Sequence, residues 1–109
     1  MDITIKDMDK YLHHQYGGRA SEQGMFMKLV EEIGEAAEVL NKRAGRKADD
    51  GTDLQAELGK ELADVIHYAV AIAAINGLDL NEIILEKDRQ ASVKYGHEMN
   101  LETFLKETK

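Results

Sequence analysis

Four carboxylates stand at spacings that could do chemistry: Glu32 and Glu35 in "EEIGE", and Glu61 and Asp64 in "ELAD". Within each pair the acids are one helical turn apart. A residue turns about 100° around a helix axis, so rotation shows what company each acid keeps. With Ile33 as zero, Phe26, Leu29, Val30, Ala37 and Leu40 fall within roughly 60° of it and read as the core stripe. Glu32 falls at roughly −100°, in a row with Met25, Ala36 and Val39, and Glu35 sits at the border of that row. Glu31 and Glu38 turn to the other side, away from apolar company. With Leu62 as zero, Leu58, Val65, Ile66, Ala69 and Ala73 form the matching stripe. Glu61 then falls at roughly −100° and Asp64 at roughly −160°, in a row with Leu54, Tyr68, Ile72 and Ile75. Lys60 points outward by the same rotation.

Two helices therefore carry the same device, a glutamate on the apolar flank with a second acid one turn later. Four inward carboxylates cannot all stay ionised without compensation. All-oxygen coordination suits Mg²⁺, with Mn²⁺ as a substitute. Mg²⁺ held this way keeps waters and takes phosphate oxygens, which points to phosphoryl chemistry. The alternative is a non-catalytic helical regulatory or assembly module whose acids form a solvated face.

The elements that must position these acids are helical throughout. The chain has no proline, and apolar residues recur at helical spacing. Ile5, Met8, Leu12 and Tyr16 make a first stripe, ended by Gly17-Gly18. A second helix runs from Ser21, as N-cap, to about Ala44, with Gly45 beyond it. "GRKADDGTD" is a polar loop. Thr52 with Gln55 makes a capping box for a third helix that runs to Asn76-Gly77. Asp79 with Glu82 opens a fourth, to about Tyr95, with Gly96 as stop. "NLETFLKE" is a short last helix capped by Asn100, suited to docking. The expectation is one all-α domain over residues 1–109: a four-helix core plus a short C-terminal helix, the bundle completed by oligomerisation.

Bulk properties narrow the partners. The 109 residues suffice for one core. Net charge is −7, which argues against nucleic acid and against an anionic membrane surface. Absence of cysteine excludes a disulfide framework and thiolate metal sites. "MDITIKDMDK" lacks the apolar stretch of a signal peptide, and "AVAIAAI" is too short to span a bilayer, so a cytoplasmic location is expected.

"EEIGE" followed by "ELAD" resembles the paired signature of the MazG-like, all-α NTP pyrophosphohydrolase superfamily, E-E-x-x-E and then E-x-x-D. "KLVEEIGEAAEVLNK", "ELADVIHYAVAIAAINGLDL" and "EKDRQASVKYGH" extend the resemblance over residues from about Phe26 to His97. It implies a Mg²⁺-dependent enzyme that cuts nucleoside triphosphates to monophosphate and pyrophosphate, working as a homodimer or homotetramer. Carried over by position, Glu32, Glu35, Glu61 and Asp64 match metal ligands. Glu35 could also take a proton from the attacking water. Lys87 and Tyr95 match positions that approach the triphosphate, and Tyr68 an aromatic near the base or sugar. Glu31 and Lys94 would be supporting residues. One departure touches substrate choice: many relatives carry Asn four residues after the lysine, and here that position is Ala91.

The histidines read as minor. His67 follows Asp64 by one turn but reads as half-exposed, and His13 and His14 read as solvent or interface residues. A di-iron bundle would need Glu-x-x-His twice, and no histidine here has that glutamate.

Overall fold

A computed structural model describes residues 1–46 and 51–108. The described residues are all-helical: α1 (Ile5–Tyr16), α2 (Glu22–Arg43), α3 (Leu54–Ile75), α4 (Leu80–Lys94) and α5 (Leu101–Glu107). Residues 47–50 of the expected loop lie outside the described residues. No single helix among the described residues is long and apolar enough to cross a membrane.

The helix starts follow from side chains that satisfy free backbone donors. Ser21 Oγ accepts from Gly24 N at 3.2 Å, Asp79 Oδ1 from Glu82 N at 3.2 Å, and Asn100 Oδ1 from Thr103 N at 2.8 Å. The cap of α3 is Asp53 rather than Thr52. Its Oδ1 accepts from Ala56 N at 3.1 Å, and aspartate caps at least as well as threonine, so the helix begins one residue later than the Thr52–Gln55 box implies. Thr4 and Asp7 form a reciprocal capping box on α1, a T-x-x-D signal that the stripe reading passed over. Gly45 and Gly96, just past the caps of α2 and α4, take positive φ, where a side chain would be strained.

Helices α2 and α3 form an antiparallel hairpin. Asn76 Nδ2, just past the end of α3, donates to Glu22 Oε1 at the start of α2 at 2.8 Å. At the other end Val39 of α2 shares a cleft with Glu57 of α3. Helix α1 packs on a second face of α3, where Leu12, Met25, Val70, Ala71 and Ala74 make the buried cluster. His13 Nδ1 donates to Ala74 O at 3.1 Å and ties α1 to α3 there, while the residue itself stays exposed, as expected of a solvent residue. Helix α4 leaves α3 at 109° and packs on α1 and α5. Asp88 Oδ2 accepts from Leu101 N at 2.6 Å, and Arg89 bridges Glu86 to Glu102, so α5 is docked on α4.

The stripes read as core are only partly the protomer's core: Ala73 is buried and Leu29, Leu58 and Val65 half-buried, but the rest stands open. Ile33 is 51% exposed and Leu62 48%, and Phe26, Val30, Leu40 and Ile66 are similarly open. The buried residues of α2 are Met25, Ala36 and Val39, the row that also holds Glu32. The physical reason is that α3 has three apolar faces roughly 120° apart. One meets α2, one meets α1, and the third, which carries Leu62 and Ile66 at 48% exposure each, stands half open. In an antiparallel pair the same rotation brings the Ile33 and Leu62 stripes to one side of the hairpin. The molecule is correspondingly open. Its Cα radius of gyration is 16.9 Å, where about 13 Å is usual for this length.

Candidate metal centre in the α2–α3 seam

The register of the hairpin sets Glu32 of α2 opposite Glu61 and Asp64 of α3. One carboxylate oxygen from each of the three lies within 4.8 Å of the others. Oxygens on opposite sides of one Mg²⁺ are about 4.2 Å apart, so the three oxygens stand close to the spacing a shared cation would need. Glu32 and Glu61 are half-buried, while Asp64 opens to solvent. Glu32 Oε2 and Glu61 Oε2 are shut off from water and face no hydrogen-bond donor. An orphaned buried carboxylate oxygen is costly unless a proton or a cation reaches it.

The electrostatics agree. Burial raises Glu61 to about 7, and hydrogen bonding to Glu32 and Glu35 and their charges push the same way. A proton on Glu61 can be donated to Glu32, which by itself pulls Glu32 down. Burial and the charges of Glu35, Asp64 and Glu31 outweigh that pull, and Glu32 also ends above the ordinary carboxylate range. Without a cation both carboxyls are thus easier to protonate than ordinary ones. The donor set is all oxygen, acidic and half-desolvated, which fits a hard divalent cation.

The sequence-derived residues divide by where the fold puts them. Glu32, Glu61 and Asp64 converge. Glu35 is exposed one turn along α2, outside that group but close enough to raise Glu61. Glu35 and Glu61 open onto a cleft of about 420 Å³ that Lys42 and Lys60 also line. Lys60 was expected to point outward, but the wall it stands on is the mouth of the seam. Glu31 is exposed and pairs with Lys28 at 3.5 Å. That pairing raises the Lys28 ammonium, first through the Glu31 charge. Tyr68 is half-buried on the row of Glu61. Lys87 and Tyr95 are exposed on α4, which packs on α1 rather than on the seam, and Lys94 Nζ lies 5.4 Å from the Tyr95 ring centroid. The protomer alone does not bring α4 to the acids.

Sequence reasoning missed one partnership. His67 is not beside a metal ligand's oxygen; its Nε2 is hydrogen-bonded to Tyr16 Oη at 2.9 Å. Tyr16 falls at the end of the first apolar stripe, which was the available signal. A larger hollow of about 550 Å³ lies between α1 and the α3–α4 turn, lined by Lys6, His13 and Leu78 among others, and holds none of these acids.

Comparison with known proteins converges on one family. Residues 20–91 match the MazG nucleotide pyrophosphohydrolase domain. The uncharacterized protein YpjD of Bacillus subtilis (strain 168) is 33% identical over 84 residues, covering 73% of this chain and 74% of YpjD. The crystal structure of iMazG from Vibrio DAT 722 is similar at a TM-score of 0.64 and 26% identity, covering 85% of this chain and 98% of that one.

Proposed function

This chain belongs to the MazG nucleotide pyrophosphohydrolase family, and from that premise we propose that it is a Mg²⁺-dependent hydrolase of nucleoside triphosphates. It would cut an NTP or dNTP to the monophosphate and pyrophosphate, in a cytoplasmic house-cleaning role toward the nucleotide pool. The observation that carries this reading is the convergence of Glu32, Glu61 and Asp64 around two orphaned buried oxygens.

Glu32, Glu61 and Asp64 would hold the cation, with Glu35 beside them, and Mn²⁺ would serve in place of Mg²⁺. Bound there, the cation supplies neutralisation of the phosphate oxygens and acidification of a water. Glu35 is the candidate general base: it is exposed at the cleft mouth, where solvent and substrate both arrive. Glu31 holds Lys28 beside the seam. Tyr68 would face the nucleoside. Lys87 and Tyr95, with Lys94, would meet the triphosphate when α4 lies over a seam in the assembled molecule.

Surface area supports assembly. The protomer exposes 8101 Å², against about 6,100 Å² for a compact chain of this mass. A stable interface needs about 800 Å² from each partner. The Ile33–Leu62 side offers a contiguous apolar patch for a homodimer or homotetramer.

The test is purified protein with Mg²⁺ and a full panel of NTPs and dNTPs. Pyrophosphate release from at least one of them is expected. Release from none would leave the non-catalytic helical module as the reading.

A further inference from the structure

One half-buried polar contact stands apart from the cluster of Glu32, Glu61 and Asp64. Tyr16 Oη and His67 Nε2 are hydrogen-bonded at 2.9 Å, joining α1 to α3. The two rings also meet edge to face, with centroids 5.8 Å apart and planes at 90°. His67 in turn meets the ring of Tyr68 edge to face, at 4.9 Å and 80°. Tyr68 follows Glu61 by seven residues, which is about two turns with roughly 20° of drift. The Tyr68 ring is thus rooted in the row of acids, about 10 Å further along the helix.

A half-buried aromatic on a helix has two accessible χ1 wells, which aim its ring in different directions. An imidazole edge fixed beside it selects between them. His67 is itself fixed, because its Nε2 is tied to a tyrosine on another helix. We infer that Tyr16 and His67 are positioning residues that hold the Tyr68 ring against the nucleoside, so that α1 helps set nucleoside affinity. This rests on the reading of Tyr68 as the nucleoside contact. Helix α1 lies outside the stretch that matches the family domain, residues 20–91, so Tyr16, though not His67 or Tyr68, comes from outside that match.

The experiment measures KM and kcat for the best nucleotide, and the Ki of inorganic tripolyphosphate, in wild type, Tyr16→Phe, His67→Phe, the double variant and Tyr68→Ala. Loss of one hydrogen bond predicts a KM increase of about 3- to 10-fold in Tyr16→Phe. His67→Phe keeps a ring edge but loses the bond, so it should match Tyr16→Phe, and the double variant should be no worse than either. kcat should stay within about twofold, and the tripolyphosphate Ki should not move, because that probe has no nucleoside. A merely structural role would raise Ki along with KM, or give additive losses, and either result overturns the inference. If Tyr68→Ala raises KM but Tyr16→Phe does not, the inference alone fails. If Tyr68→Ala leaves KM unchanged, the nucleoside reading of Tyr68 fails and takes the inference with it.

Discussion

Glu32 and Ile33 are neighbours in the chain and have exchanged their customary surroundings. The glutamate lies in the seam between α2 and α3, with an oxygen cut off from water. The isoleucine stands half in solvent on the open side of the same hairpin. Glu61 and Leu62 repeat the exchange on α3. A helix pair built only for its own stability would bury the leucine and expose the acid. Each inversion is a cost that something outside the protomer can remove: a cation for the seam, a second copy for the stripe. The two regions should therefore answer differently to substitution.

The largest difference is in activity. Asp64→Asn or Glu61→Gln should lower pyrophosphate release by at least about 100-fold, as removal of a cation ligand does. In the absence of divalent cations the same variants should melt no lower than wild type, because they remove like charges that repel. A variant that loses activity only by unfolding would break the comparison.

Core substitutions come next. Leu12 is 1% exposed, and Leu12→Ala should cost about 2–5 kcal/mol by chemical denaturation. Ile33→Asp should instead lower the assembled mass in light scattering while leaving helical circular dichroism nearly intact. If Ile33→Asp unfolds the chain as Leu12→Ala weakens it, the stripe is core after all.

The pH dependence is the smallest effect and sharpens the seam's side of the comparison. Glu61 is raised from the ordinary carboxylate range to about 7 in the folded state. The folded chain then holds a proton that the unfolded chain has already lost. Without cations, stability should fall as pH rises from about 4.5 to about 7. With Mg²⁺ the trend should reverse near pH 7, as deprotonated Glu61 becomes a ligand. Melting curves across pH 5 to 8, with and without Mg²⁺, read both signs.

Much of this was legible in the residues. The four principal helices and the docking helix follow from spacing, glycine stops and caps, and the acids' common row follows from rotation alone. The core assignment failed on an instructive point. Rotation ranks faces by apolar content, and the richest stripe was taken as the inside. Ile33 and Leu62 show that the richest stripe can be left half open in the protomer, while small residues such as Ala36 and Ala71 let helices approach within it. Sequence also could not place α4. Nothing in "LNEIILEKDRQASVK" reveals a 109° departure from α3. The Tyr16–His67 bond joins residues 51 positions apart, a pairing that no local pattern carries.

The central claim is that Glu32, Glu61 and Asp64 hold a divalent cation. Titration calorimetry of Mg²⁺ or Mn²⁺ into the nucleotide-free protein at pH 8, in wild type and in Glu61→Gln, tests it most directly. Saturable binding in wild type that is lost in Glu61→Gln, with a matching rise in melting temperature only in wild type, is the predicted result. Absence of saturable binding, or binding that Glu61→Gln leaves unchanged, would contradict it.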